Sequence, residues 1–261
     1  MSNWQPITGP LAAERLGERD APTIVFAHGF TQTANSWKPI AAEFASRGYQ
    51  VMVVDLPGHA GSSTVRADVR RTADMIAEIG GVGTYVGYSL GGRVCLHLAL
   101  MYPHLVRSLV LIGAHPGISD ADEREARRES DDALAAHLLE VGVDAFLGEW
   151  LANPLFGGFD VGDDERADRR RNTADGLAAS LRMAGTGEQL PLWPRLRELN
   201  MPVLAMAGEH DDKFAAIAEQ IATAVPIGQY LAMAGAHHAA HLQNPQSVID
   251  AIATALPVSP G

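Results

Sequence analysis

Ser89 stands in the run Gly87-Tyr88-Ser89-Leu90-Gly91, which Gly92 extends. A serine hydroxyl becomes reactive when a sharp strand-to-helix turn lifts it clear of the chain and a base takes its proton. Such a turn strains the serine backbone, and the neighbours packed against it must lack a Cβ, a need that glycines meet. The helix opening at Leu90 would aim its positive end at the serine oxygen and favour negative charge there. The plain alternative is a glycine-rich turn carrying a solvated serine. An apolar run before Ser89 and a helical run after it weigh against that alternative.

A serine of this kind works with a carboxylate and an imidazole, in the chain order Ser, Asp, His. Gly208-Glu209-His210-Asp211-Asp212 follows an apolar run, and a carboxylate there can accept an imidazole N–H. Asp211 is the first candidate and Asp212 its neighbour; ordinary surface carboxylates would look the same. Further on, Gly235-Ala236-His237-His238-Ala239-Ala240-His241 offers three histidines. One can take the serine proton, and the others are then loop histidines. Developing negative charge needs two backbone N–H donors. Leu90 supplies one, and Phe30 of His28-Gly29-Phe30 the other, with His28 fixing that loop. Asp55-Leu56-Pro57-Gly58-His59 reads as a packing loop beside it.

Other chemistries find little support. Cys95 is the single cysteine, so neither an internal disulfide nor a zinc-type cysteine spacing exists, and Val94-Cys95-Leu96 reads as core. His237, His238 and His241 as a metal cluster are a weaker reading than the serine one. The sequence contains no phosphate-binding glycine loop with a lysine and no dinucleotide fingerprint after the first apolar run. No metal is expected. The net charge of -11 repels nucleic acid and anionic lipid. No apolar run reaches the roughly 18 residues that span a bilayer, and Met1-Ser2-Asn3-Trp4-Gln5-Pro6 lacks a basic start. The cytoplasm is the expected location.

The elements that must hold these residues follow from the apolar pattern. Thr23–Ala27, Gln50–Val54, 84–86 and 108–112 are apolar runs without strict alternation, as in strands buried on both faces of a parallel sheet. Helical segments such as 37–47 and Leu90–Met101 lie between them, in the rhythm of a doubly wound α/β fold. From about residue 118 the rhythm changes. Residues 119–132 are almost all charged or small, and helical stretches follow near 133–140, 143–151 and 163–184. Strands resume at 201–207 and 229–233, and a helix closes the chain at 245–256. The expected architecture is a mostly parallel central sheet flanked by helices (residues 1–117 and 193–261) with an inserted helical cap (118–192). Residues 257–261 are expected to fray.

Gly87-Tyr88-Ser89-Leu90-Gly91-Gly92-Arg93-Val94 resembles the elbow of the α/β-hydrolase-fold synthases that make 2-succinyl-6-hydroxy-2,4-cyclohexadiene-1-carboxylate in menaquinone biosynthesis. The likeness continues in His115-Pro116-Gly117-Ile118, Trp150-Leu151-Ala152-Asn153-Pro154-Leu155-Phe156, Gly208-Glu209-His210-Asp211-Asp212-Lys213-Phe214 and His238-Ala239-Ala240-His241-Leu242-Gln243-Asn244-Pro245. It spans nearly the whole chain. The resemblance implies a lyase that expels pyruvate from an enolpyruvyl ether without a cofactor. Ser89, activated by His238 and oriented by Asp211, would act as the base. His-x-x-His before Asn-Pro selects His238, although His237 stands where the family has glycine and remains a second candidate.

That substrate carries several carboxylates, while the protein is acidic. Affinity then requires a local cationic pocket, best built from arginines, which bind carboxylates bidentately. Arg93 lies one turn into the elbow helix. Arg124, Arg127 and Arg128 fall at i, i+3 and i+4 and share a helix face. With the family blocks aligned, Arg127 is favoured as a ligand over Arg124. Arg170 or Arg171, ahead of Asn172, is a further candidate. Trp150 would pack on the substrate ring or belong to the core. Tyr88 would donate a hydrogen bond to a carboxylate, and Lys213 would sit at the rim or in solvent. The competing functions are an ester or carbon–carbon bond hydrolase using the same serine through an acyl-enzyme, and a ligand-binding protein, which predicts a damaged serine–histidine–aspartate set.

Overall fold

The computed structural model describes residues 3–256. The tail expected to fray, 257–261, lies outside the described residues.

Eight strands form one sheet in the order β1-β2-β4-β3-β5-β6-β7-β8. They are β1 (Gln5–Ile7), β2 (Ala13–Leu16), β3 (Thr23–Ala27), β4 (Gln50–Val54), β5 (Gly83–Tyr88), β6 (Val106–Ile112), β7 (Val203–Gly208) and β8 (Gly228–Met233). β1 pairs with β2, and β2 with β4, antiparallel; every other pairing is parallel. The central strands are buried along almost their whole length, as a sheet covered on both faces requires. One face packs Leu96, Leu109 and Ile76 into a core; the other packs Phe26, Trp37 and Ile252.

The helices are α1 (Lys38–Ser46), α2 (Val69–Gly80), α3 (Leu90–Met101), α4 (Ala121–Leu151), α5 (Gly162–Arg169), α6 (Ala174–Ala184), α7 (Asp212–Ala224), α8 (Ala240–Gln243) and α9 (Pro245–Ala255). The parallel order places the C-terminal ends of β3, β5, β6, β7 and β8 side by side, and ligands of open α/β sheets bind at such ends.

Between β6 and β7 the chain is helical. The charged stretch from residue 119 opens α4, whose N-cap Asp120 accepts the N–H groups of Asp122 and Glu123. Gly142, at φ 78°, breaks α4 into two arms, matching the two stretches expected there. The single helix expected over 163–184 is instead two. Thr173 caps the start of α6 by accepting the N–H of Gly176 at 3.1 Å, and Asn172 turns its side chain away from the helix axis to other loops. Ala135, Leu138 and Phe146 of α4 pack on Leu177, Ala178 and Leu181 of α6 in a separate small core. Each such large side chain contributes about 1.5–3 kcal/mol on burial. This layer stands over the strand ends.

Candidate active site

β5 delivers Ser89 and α3 carries the chain away. Ser89 has φ 49° and ψ -106°, a conformation that costs a non-glycine residue about 1–3 kcal/mol. Its N–H donates to Ile112 O at 2.8 Å, tying the turn to β6. A Cβ on Gly87 would lie 2.4 Å from Gly91 O, and one on Gly91 would lie 2.2 Å from Ala27 O. The turn can close only with glycine at both positions.

His238 sits between two partners. Its Nδ1 is 2.7 Å from Asp211 Oδ2, and its Nε2 is 3.4 Å from Ser89 Oγ. If Asp211 accepts the Nδ1–H, the Nε2 lone pair faces the hydroxyl and can receive its proton. Asp211 is the N-cap of α7, where its other oxygen accepts the N–H of Phe214 at 3.4 Å. Both groups are buried. The Phe214 ring packs 4.4 Å from the imidazole, and the His238 N–H donates to Leu155 O at 3.3 Å.

The competing candidates are placed elsewhere. Asp212 is exposed. The His237 ring lies against Gly157 and 5.2 Å from His210. His241 is buried, stacked on Trp37 at 4.6 Å and facing Gln32; burial holds it well below the ordinary histidine range. These rings face different neighbours, and among the described residues no group of three or more His, Cys, Asp or Glu side chains is arranged to hold a metal ion.

Phe30 and Leu90 flank Ser89 at the cavity wall. Among the described residues neither backbone N–H has a hydrogen-bond acceptor, so both are free to serve an oxyanion. His28 anchors this loop, with Nδ1 2.8 Å from Gly29 O and Nε2 accepting the Leu56 N–H at 3.0 Å. Burial lowers His28 to about 4, so it is neutral. Asp55 fixes the adjoining loops by accepting from Ala34 N at 2.7 Å and Gly61 N at 3.0 Å.

A cavity of about 360 Å³ opens over Ser89 and His238, a size within the roughly 300–1,000 Å³ of small-molecule sites. Arg93, Arg127 and Lys213 line it, and so do Tyr88 and Trp150. Arg93 is only 7% exposed. Burial, and secondarily Arg127, lower its pKa to about 10, which leaves it charged at neutral pH. Its guanidinium donates to Ala184 O at 2.7 Å and Gln189 Oε1 at 3.4 Å. Arg127 Nε donates to Asp131 Oδ1 at 2.9 Å. Burial raises the Asp131 carboxyl, Arg127 opposing it, and among the described residues Asp131 Oδ2 has no partner. Trp150 Nε1 is likewise buried without one. Burial pushes the Tyr88 phenol up, so it stays protonated.

Two of the expected ligands lie off this wall. Arg124, in the first turn of α4, folds back to donate to the carbonyls of Ile118, Ser119 and Asp120. Arg170 pairs with Asp144 at 2.6 Å in solvent, and its alternative Arg171 pairs with Asp168 at 2.9 Å. Helix α5 ends here, and its periodicity turns Arg169 inward instead. Arg169 is buried, donating to Thr31 Oγ1 at 2.6 Å and bridging to Glu165 at 3.0 Å. The Glu165–Arg169 spacing of i, i+4 was a visible sign of that pairing. Asp131, on the cavity wall, and Gln189, which bonds Arg93 from behind it, are not evident from the sequence. For Asp131, the i, i+4 spacing from Arg127 was the available signal; Gln189 lies in a connecting segment with none.

A strained serine at the end of a parallel strand, backed by a loop imidazole and a loop carboxylate, defines the α/β-hydrolase class. The alpha/beta hydrolase fold family matches residues 22–245, and the chain belongs to it. Within that class the chain belongs to the 2-succinyl-6-hydroxy-2,4-cyclohexadiene-1-carboxylate synthase family. It is 32% identical over 253 residues to the synthase of that name from Klebsiella pneumoniae subsp. pneumoniae, covering 94% of this chain and 98% of the relative. It is 32% identical over 250 residues to that of Salmonella paratyphi C, covering 92% and 96%. The structure of MenH from S. aureus superposes with a TM-score of 0.83 at 28% identity, covering 95% of this chain and 97% of that one. A thermophilic esterase from Thermogutta terrifontis superposes at 0.79 with 22% identity, covering 97% of each chain, which speaks to fold alone. No helix among the described residues is long and apolar enough to cross a membrane.

Proposed function

We propose that the protein eliminates pyruvate from 2-succinyl-5-enolpyruvyl-6-hydroxy-3-cyclohexene-1-carboxylate to give 2-succinyl-6-hydroxy-2,4-cyclohexadiene-1-carboxylate. The carrying observation is a single cavity with the Ser89–His238–Asp211 chain on one wall and Arg93 and Arg127 on another. Residues 118–192 act as the cap over a core of 1–117 and 193–261. Composition, with its single cysteine, fits a reducing cytoplasm.

Ser89 Oγ passes its proton to His238 Nε2 and removes the ring proton at C2, α to the succinyl carbonyl. Asp211 holds the imidazole and stabilises its charged form. The electron pair left at C2 forms the 2,3 double bond, the existing 3,4 double bond moves to 4,5, and the enolpyruvyl oxygen leaves C5. The departing enolate takes the proton from His238 Nε2 and is released as pyruvate, which returns Ser89 and His238 to their starting states. The N–H groups of Phe30 and Leu90 meet the negative charge that develops on the substrate. Arg93 and Arg127 hold the carboxylates as charged, fork-shaped donors, with Tyr88, Trp150 and Lys213 completing the wall. No acyl-enzyme forms.

The test supplies the enolpyruvyl substrate and follows pyruvate release, alongside hydrolysis of a simple aryl ester. Pyruvate release at an enzymatic rate with slow ester hydrolysis is the expected result. Fast ester turnover without pyruvate would assign the serine to a hydrolase instead.

A further inference from the structure

Three non-glycine residues among those described have positive φ: Thr31 at 68°, Ala60 at 35° and Ser89 at 49°. Ser89 is explained by the elbow. Thr31 is the third residue of a turn from Gly29 to Gln32, closed by Gln32 N–H donating to Gly29 O at 3.2 Å. A positive φ at that position favours glycine or asparagine, and a β-branched residue there is sterically disfavoured. Something outside the turn must hold it.

The holding groups come from the cap. Asn172 is buried. Its Nδ2 donates to Thr31 O at 2.7 Å and to Arg169 O at 2.9 Å. Its Oδ1 accepts the N–H of Ala60 at 2.9 Å. One side chain therefore braces both remaining strained residues. Arg169 adds the bond to Thr31 Oγ1 at 2.6 Å, and Glu165, which pairs with Arg169, also accepts from Ser36 Oγ at 2.9 Å. Thr31 directly follows Phe30, and His59, next to Ala60, packs edge-on against the Phe30 ring at 5.9 Å.

We propose that Asn172 is a positioning residue: by bracing Thr31 and Ala60 from the cap, it sets the direction of the Phe30 N–H and so makes the oxyanion site depend on cap docking. This rests on the reading of Phe30 as an oxyanion donor. Asn172 acts through the turn and needs no contact with the reacting atoms.

Two readouts test this on the full-length protein. One is the kcat and KM for pyruvate release; the other is amide hydrogen exchange across residues 28–36, which needs no substrate. Asn172→Ala is expected to lower kcat about tenfold or more with KM within about threefold, and to speed exchange in that segment. Thr31→Gly, which adopts the same φ freely, is expected to restore at least about a third of the lost kcat in the Asn172→Ala background. Arg166→Ala, on α5 with Arg169 but paired with Asp160 in solvent, should change neither readout. If Asn172→Ala does not fold, Thr31→Val removes only the Arg169 bond and is expected to cut kcat about threefold or more with faster exchange. Unchanged exchange would overturn the brace. Faster exchange with unchanged kcat, or no rescue by Thr31→Gly, would overturn its link to catalysis. Absence of pyruvate from the wild-type protein would fail the proposed function, and the exchange result would still decide the brace.

Discussion

Ser89 Oγ and His238 Nε2 stand 3.4 Å apart, a looser contact than the 2.7 Å between His238 Nδ1 and Asp211 Oδ2. The imidazole is thus anchored by its carboxylate and open towards its hydroxyl. Such contacts commonly tighten only when substrate is bound. Ser89→Ala removes the group that meets the ring proton and leaves the arginine wall intact. We expect kcat to fall by about a thousandfold or more, while substrate affinity measured by calorimetry changes little. A rate near wild type would remove Ser89 from the mechanism.

The Arg127–Asp131 pair separates binding from folding. Arg127→Ala should raise KM about tenfold or more, because a charge-assisted carboxylate contact is lost. It also strands the buried Asp131 carboxylate, so the melting temperature should fall. Adding Asp131→Asn should restore much of the melting temperature and leave KM high. If KM recovers together with stability, Arg127 serves the fold and holds no substrate.

The sequence made the catalytic wall more legible than the binding wall. Ser89, Asp211 and the histidine cluster each follow an apolar strand, and strand ends are easy to see because buried parallel strands are continuous apolar runs. β1 and β2 carry the sequences Gln-Pro-Ile and Ala-Glu-Arg-Leu, with no such run, and their place at one end of the sheet left no signal. The binding arginines sit on helices. There, a side chain's direction depends on where each helix starts and breaks, and a shift of one residue turns it by about 100°. That shift is the difference between Arg170, in solvent, and Arg169, in the interior. The brace from Asn172 joins residues about 140 positions apart, which no local pattern reveals.

Acid should destabilise the fold through its buried neutral histidines. Burial lowers His28 to about 4 and His59 to about 3, the latter pushed further by His28. In the unfolded chain both titrate near about 6.5. Between these values the unfolded state binds more protons than the folded one, so stability is fully present above the unfolded pKa and falls as pH drops. Each histidine contributes a slope of about 1.4 kcal/mol per pH unit near pH 5. Among the described residues His59 Nε2 has no hydrogen-bond partner, so His59→Phe forgoes only the Nδ1 contact with Pro57 O at 3.0 Å. Urea unfolding at a series of pH values from 7 to 4 should give the variant a shallower slope by about that amount. Parallel slopes would acquit His59.

Two glycine-to-alanine changes should move stability in opposite directions. At Gly91 the new methyl would lie 2.2 Å from Ala27 O, 2.4 Å from Ala27 C and 2.6 Å from His28 O. These are backbone atoms at the end of a central strand and cannot yield without shifting β3 and the loop that carries Phe30. We expect Gly91→Ala to cost about 3 kcal/mol or more, or to prevent folding. Gly148 lies in the second arm of α4, exposed, with nothing within 4 Å of an added Cβ. There alanine removes conformational freedom from the unfolded chain, and Gly148→Ala should stabilise by about 0.5–1 kcal/mol. Thermal melts of the two variants against wild type decide both. A stable, active Gly91→Ala protein would contradict the closeness of α3 to β3, and with it the tight turn that presents Ser89.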